Sequence, residues 1–319
     1  MSQPIIYLKE ALNEAQIESI KKAAPEFSVI DASKNNPPVN ENDITIMLGW
    51  DRELGERLLN NEDSQLKWIQ TISAGVDTFD FEILQKKGIL LSNASGIHSI
   101  SISEHVLGVL LTQFRGIRQS IQAQAEKHWA TNLEYRQLSG SKMLVVGTGH
   151  IGQQLARFAK GLNLQVYGIN TTGHSVENFI ECYPKANMAK VLKEMPIVVN
   201  ILPLTDQTNQ IYNKELFAEM KAGTVFINVG RGASVVTTDL IEALNNGQIA
   251  YAALDVFEEE PLPEDSPLWH MENILITPHI SGLTPKFKTK LMNIFLPNLK
   301  SFLSENTLVK NNISLSKKY

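Results

Sequence analysis

Residues 143–152 read Met143-Leu144-Val145-Val146-Gly147-Thr148-Gly149-His150-Ile151-Gly152, and the chain continues from Gln153 to Gly161 with helical spacing. An apolar run, a G-x-G-x-x-G and a helix, in that order, form the turn that receives a dinucleotide. Gly147 permits the tight turn, Gly149 lets the backbone approach a pyrophosphate, and Gly152 lets helix and strand pack closely. The helix start, at His150 and Ile151, offers unpaired N–H groups and the positive end of the helix dipole to phosphate oxygens. Three glycines alone also occur as a plain turn; the strand before them and the helix after them make the dinucleotide reading here.

The next strand bears on which dinucleotide. Leu164-Gln165-Val166-Tyr167-Gly168-Ile169 runs into Asn170-Thr171-Thr172-Gly173-His174. An NAD site usually ends this strand with Asp or Glu, which bonds the ribose 2′-OH. No acid stands here, so nothing repels a 2′-phosphate, and Asn170, Thr171 and Thr172 carry donors that suit one. No Arg is present either. The expectation is NADP(H), with NAD(H) left open.

Outward from this turn, short apolar runs alternate with helix-like stretches. Strands are expected at 5–8, 28–31, 44–49, 68–73 and 89–93. A second set is expected at 143–146, 164–169, 197–201, 224–229, 250–255 and 274–276. Amphipathic segments such as 11–23 and 53–59 lie between them. Such alternation predicts parallel sheets flanked by helices. Two sets predict two α/β units, each doubly wound. Between the sets, Ser101-Ile102-Ser103-Glu104 fits a capping box. The following Val106, Leu107, Val109, Leu110, Leu111 and Phe114 are apolar on more than one face, which predicts a helix buried on both sides. It is either an ordinary core helix or one that also serves a subunit interface. A last helix, from about 284 to 304, has no strand after it and is expected to return to the first unit.

Composition excludes several classes. A net charge of −5 with no Lys/Arg block argues against nucleic acid or an anionic membrane as partner. No basic and apolar leader opens MSQPIIYLKE, and no apolar run of about 18 residues exists. Cys182 is the single cysteine, which excludes a disulfide framework, and no H-E-x-x-H or similar spacing suggests a metal. The expected setting is the cytoplasm.

Three further segments place a polar residue just beyond an apolar strand: Asn228-Val229-Gly230-Arg231-Gly232, Asp255-Val256-Phe257-Glu258-Glu259-Glu260-Pro261, and Thr277-Pro278-His279-Ile280-Ser281-Gly282. In open α/β sheets ligands bind beyond the carboxyl ends of the strands, so these residues are expected to meet there. With Leu202-Pro203-Leu204-Thr205, these motifs resemble the D-isomer-specific 2-hydroxyacid dehydrogenase family over nearly the whole chain. The resemblance implies a Rossmann-type cofactor domain (99–285) inserted in a discontinuous, flavodoxin-like substrate domain (1–98 and 286–319), and a homodimer. It implies catalytic roles for Arg231, Glu260 and His279, and a place for Asp255 on the nicotinamide side of the cofactor. It adds Pro203, Thr208, Val229 and Gly282 to the cofactor contacts. Ser73-Ala74-Gly75-Val76-Asp77 resembles the loop whose amides hold a substrate carboxylate. Trp50 and Trp269 fall near segments that line the substrate pocket, or else are core aromatics.

The chemistry gives each residue type a reason. Reducing a ketone needs a hydride on carbon and a proton on oxygen. Histidine is the side chain poised to give that proton near neutrality, and a neighbouring carboxylate fixes its ring and favours the imidazolium. An arginine fork can hold a carboxylate together with the adjacent carbonyl oxygen. The plainer readings are an ion-pair arginine, a solvated acidic turn at 258–260 and a core histidine. His98, His105, His128 and His270 lack a motif partner and are read as structural or surface residues. The implied activity is NAD(P)H-dependent reduction of a small 2-oxo acid to a D-2-hydroxy acid. Rival readings are a nicotinamide-sensing binding protein of the same fold and a short phosphoglycerate dehydrogenase. The related formate dehydrogenases carry Gln where Glu260 stands.

Overall fold

The computed structural model describes residues 3–35, 37–76 and 78–315, and its contacts divide the chain into two units, 1–97 with 285–319, and 98–284. The first unit carries β1 (Ile5–Leu8), α1 (Glu14–Ala23), β2 (Ser28–Asp31), β3 (Ile44–Leu48), α2 (Arg52–Asn60), β4 (Trp68–Gln70), α3 (Phe81–Lys87) and β5 (Leu90–Ser92). Its five strands are all parallel, in the order β2-β1-β3-β4-β5. All of β1 is buried, which is why it reads as an unbroken apolar run rather than an alternating one; β4 is buried as well, its polar Gln70 included. Short polar side chains start the helices. Asn13 accepts from the Gln16 amide at 2.9 Å while Gln16 returns a bond to the Asn13 amide at 3.0 Å; Asp51 and Asp80 cap α2 and α3.

The second unit begins with α4 (Ser99–Phe114) and α5 (Ile117–Ala125). Then come β6 (Lys142–Val146), α6 (His150–Gly161), β7 (Gln165–Asn170), β8 (Glu181–Pro184), α7 (Met188–Leu192), β9 (Ile197–Asn200), α8 (Lys214–Glu219), β10 (Thr224–Asn228), α9 (Thr237–Asn245), β11 (Ile249–Leu254) and β12 (Ile274–Ile276). The seven parallel strands run β12-β11-β10-β9-β6-β7-β8. The order reverses between β6 and β9, the switch point at which open α/β sheets bind ligands. One face of the sheet buries Leu144, Val146, Val198, Phe226 and Leu254 among others; the opposite face buries Met143, Val145, Val199, Val225 and Ile227. Two parallel-sheet α/β units are thus present, as the alternation predicts.

Three local expectations are corrected. β8 escaped the sequence reading because Glu181-Cys182-Tyr183-Pro184 has neither an apolar run nor clean alternation. Ser101 does not cap α4: the helix starts at Ser99 after His98, and the Ser103 hydroxyl donates back to the Ser99 carbonyl at 2.7 Å. Three serines at every second position each offered a start, and backbone geometry chose the first. Nor is α4 buried all round within its unit. Ile102, Val106, Val109, Leu110 and Phe114 enter the core beside α6, whereas Ile100 and Leu111 are exposed.

The last helix, α10 (Phe287–Glu305), belongs to the first unit, where Leu291, Phe295, Leu299 and Phe302 pack on Trp68 and Leu48. Trp68 stacks on Phe295 with ring centroids 4.9 Å apart. The fully buried Asn298 amide pins residues 309–310, and Ile313 then donates to Leu91 at 2.9 Å, adding a bond along β5. Residues 311–315 are therefore held on the sheet edge; 316–319 lie outside the described residues. Among the described residues no helix is long and apolar enough to cross a membrane.

Candidate active site

β10, β11 and β12 are neighbours in register, so the turns that follow them emerge side by side. Arg231 follows β10, Glu260 lies in the turn after β11, and His279 follows β12. Gly232 allows the first two turns to touch: a Cβ there would stand 1.8 Å from the Phe257 carbonyl oxygen.

His279 and Glu260 form a pair. The ring Nδ1 lies 2.7 Å from Glu260 Oε2, and Glu260 Oε1 accepts the Phe257 amide at 2.9 Å. The carboxylate is thus held by the backbone of its own turn while it holds the imidazole. With Nδ1 engaged, Nε2 is the ring nitrogen that this pair leaves over. His279 has φ of 55°, a left-handed conformation that a non-glycine residue takes at a cost and keeps only when its surroundings over-determine it. The surroundings are clear. The His279 amide donates to the Asp255 carbonyl at 2.9 Å, and the Asp255 carboxylate accepts the Ile280 and Ser281 amides, each at 2.9 Å, and the Thr277 hydroxyl at 2.6 Å. Asp255 is only 1% exposed, and these bonds place it as the clamp of the 277–281 turn. The Arg231 guanidinium donates to the Gly230 carbonyl at 2.8 Å.

Behind the clamp, His105 of α4 lies 3.4 Å from the Thr277 hydroxyl. Burial pushes its imidazole below the usual value, with the Asp255 carboxylate opposing. An imidazole that protonates more readily in the unfolded chain leaves stability intact above its ordinary pKa of about 6.5 and removes it as pH falls below that. His105→Gln is therefore expected to flatten the acid side of the stability profile, measured by urea unfolding from pH 7.5 downward. An unaltered profile would show that His105 contributes nothing to it.

The dinucleotide turn has the shape its glycines require. Gly147 has φ of 108°, and a Cβ on Gly152 would lie 2.1 Å from the Gly147 carbonyl oxygen. Gly149, at the N-cap of α6, has no side-chain cap, and among the described residues nothing beyond its chain neighbours comes within 4 Å of where a Cβ would be. The first amides of α6, at exposed His150 and half-buried Ile151, thus open on clear space, which fits a pyrophosphate. At the end of β7, the Asn170 amide is committed to its own turn. It donates to the His174 carbonyl at 2.9 Å and to Thr148 Oγ1 at 3.3 Å, and accepts the Gly173 amide at 2.6 Å. Thr171, Thr172 and His174 are the exposed side chains of that turn. Thr208 braces the turn after β9 by donating to the Pro203 carbonyl at 2.7 Å; Val229 is buried, and the Gly282 carbonyl lies 2.7 Å from His98 Nδ1.

In the first unit, the 73–76 turn has its carbonyls occupied by side chains. Thr71, Asn93 and Ser73 donate to the carbonyls of Ser73, Ala74 and Gly75 at 2.9, 2.6 and 2.7 Å. The amides of Ala74, Gly75 and Val76 make no hydrogen bond among the described residues, the condition for an anion-binding nest. Asp77 lies outside the described residues. Trp50 packs on Gly55 and on Phe79 (centroids 4.8 Å apart), whereas Trp269 is 48% exposed, with its indole N–H on the Pro263 carbonyl at 2.8 Å.

Sequence reading missed the polar groups beneath these turns: Asn200, Asn228 and Ser234 under Arg231, and His105 behind Asp255. The available signal was an asparagine closing each of two apolar strands.

A dinucleotide turn at the switch point and a carboxylate-held histidine beyond neighbouring strands define a nicotinamide-dependent oxidoreductase. The sequence model of the D-isomer specific 2-hydroxyacid dehydrogenase NAD-binding domain matches residues 107–281. Glyoxylate/hydroxypyruvate reductase B of Escherichia coli O6:H1 is 30% identical over 316 residues, covering 93% of this chain and 94% of that one. The NADPH-dependent glyoxylate/hydroxypyruvate reductase of Sinorhizobium meliloti, solved with NADP and sulfate, covers all of both chains with a TM-score of 0.81 at 26% identity. A phosphoglycerate dehydrogenase of Lactobacillus plantarum is 38% identical, covering 97% of this chain and 100% of that one, with a TM-score of 0.59. The chain belongs to the D-isomer specific 2-hydroxyacid dehydrogenase family, whose members are NAD(P)-dependent oxidoreductases.

Proposed function

We propose that the chain reduces a small 2-oxo acid to the corresponding D-2-hydroxy acid with NADPH. The observation that carries this reading is the 2.7 Å contact between His279 Nδ1 and Glu260 Oε2 at the carboxyl end of the sheet. Gly147, Gly149 and Gly152, with the amides of His150 and Ile151, would hold the dinucleotide, and Pro203, Thr208, Val229 and Gly282 would border it. When bound, the reduced nicotinamide supplies the hydride that C2 of the acid accepts. His279 Nε2–H donates the proton that the C2 oxygen needs, and Glu260 holds the ring in place and offsets its positive charge. Arg231 holds the carboxylate and polarises the carbonyl. The free amides of Ala74, Gly75 and Val76 suit a carboxylate oxygen as well. Trp269, exposed beyond β11, is the side chain we assign to acid size. The test is initial rates with glyoxylate, hydroxypyruvate, pyruvate and 2-oxoisocaproate, each with NADPH and NADH. Cofactor binding without turnover of any acid would favour a sensing role instead.

NADPH is assigned over NADH because no carboxylate ends β7, and the S. meliloti relative is NADPH-dependent. Thr171, Thr172 and His174 are the groups a 2′-phosphate would meet, and Asn170 shapes their turn. Asn170→Asp brings a negative charge beside that phosphate. It is expected to lower the NADPH/NADH ratio of kcat/KM by about 10-fold or more, the scale of a close like-charge contact. An unchanged ratio would mean that this turn does not read the ribose.

A homodimer completes the proposal. Ile100 and Leu111 of α4, Ile117 and Ile121 of α5 and Trp129, which is 90% exposed, are large apolar side chains left in contact with solvent close together in sequence, which suits a partner surface. Light scattering is expected to give twice the chain mass, and Trp129→Glu to reduce it; a monomeric wild type would remove this assignment.

A further inference from the structure

We infer that Asn200 is a positioning residue for the reaction: its buried carboxamide, with Asn228 and Ser234, sets the Arg231 turn and ties it to the turn after β9. The inference rests on the reading of Arg231 as the arginine that meets the substrate. Asn200 and Asn228 close β9 and β10, stand opposite each other in the ladder, and are both 0% exposed. Neither side chain serves the apolar core. Asn200 Nδ2 donates to Asn228 Oδ1 and to Ser234 Oγ, each at 2.9 Å, and Asn200 Oδ1 accepts the Leu202 amide at 3.2 Å. Asn228 Oδ1 also accepts the Gly230 amide at 3.1 Å. The Arg231 carbonyl then receives two side-chain bonds, from Asn228 Nδ2 at 3.1 Å and from Ser234 Oγ at 2.6 Å, beside the Ser234 amide at 3.2 Å.

Buried amides are costly unless fully bonded, and a fully bonded network holds one geometry. Here the bonds fix the backbone on both sides of the arginine, so its extended conformation (φ −139°, ψ 141°) is set from beneath. The two turns also touch: a Cβ on Gly230 would lie 2.7 Å from the Leu202 carbonyl oxygen. A single carboxamide, Asn200, therefore reaches the arginine turn and the Leu202–Thr205 turn that contains Pro203.

A double-mutant cycle separates positioning from general structure, because residues acting through one another are non-additive. kcat/KM for hydroxypyruvate with NADPH is measured for wild type, Asn200→Ala, Arg231→Ala and the pair. Arg231→Ala is expected to lose about 100-fold or more, the scale on which loss of a charge-assisted contact in a transition state is felt. Asn200→Ala is expected to lose about 10-fold in the wild type and less than about 3-fold without Arg231. Equal losses in both backgrounds, or no loss in the wild type, overturn the inference while leaving the reading of Arg231 intact. An unaffected Arg231→Ala overturns both. Ser234→Ala, which removes one hydroxyl and keeps the asparagine pair, runs through the same cycle. It decides the matter if Asn200→Ala does not fold: a loss of about 3-fold or more only where Arg231 is present supports positioning, and any other pattern overturns it.

Discussion

His279→Gln should lower kcat by about 10²-fold or more, since a positioned general acid contributes on that scale. Glutamine keeps a side-chain amide that can donate to Glu260, so the turn loses its acid without losing its bond. The Asp255 clamp on the 277–281 turn does not involve the ring, so the left-handed residue at 279 stays in place. Cofactor affinity should therefore be unchanged, which separates this loss from a general collapse of the site. The measurement is single-turnover oxidation of NADPH with hydroxypyruvate, where product release cannot mask the chemical step. An unchanged rate there would remove His279 from the proton transfer.

Gly152→Ala should weaken NADPH binding by about 10-fold or more and lower stability by about 1–3 kcal/mol, the usual cost of forcing atoms into a packed site. The added Cβ would meet the Gly147 carbonyl oxygen at 2.1 Å and Val145 Cγ1 at 3.3 Å, so α6 must move off β6 and take its amides with it. Gly149→Ala provides the contrast. Among the described residues nothing beyond the chain neighbours lies within 4 Å of that Cβ, so the fold should keep its stability while the methyl occupies the approach of a pyrophosphate. Fluorescence titration with NADPH and thermal unfolding, run on both variants, should show binding lost in each and stability lost only in Gly152→Ala. Full binding by Gly149→Ala would mean that the phosphates do not lie on this turn.

Most of the architecture was legible because parallel strands covered on both faces must be apolar throughout. Met143–Val146 and Ile197–Val199 announce themselves for that reason. β8 did not, since an edge strand only partly covered carries no such constraint, and only Cys182 of its four residues is buried. Helix starts were read less closely: the amphipathic segments 11–23 and 53–59 begin at Glu14 and Arg52, after the capping Asn13 and Asp51. The reading failed where serines at 99, 101 and 103 competed. In the candidate site, Arg231, Glu260 and His279 stood out because each follows a strand within a recurring motif. Their supports did not. Asn200 and Asn228 pair across 28 residues, and His105 reaches Thr277 across 172. Pairings so distant in sequence exist only once the strands are laid in order, and a polar residue ending an apolar strand reads equally well as a plain terminator.

Hydride transfer to C2 of a 2-oxo acid can be seen in a single product. NADPH carrying deuterium at both hydrogen positions of nicotinamide C4, mixed with hydroxypyruvate and the enzyme, should give D-glycerate with deuterium at C2, read by proton NMR and a chiral separation. Oxidation of NADPH without deuterium at C2, or no product while the cofactor remains bound, would contradict the reductase reading.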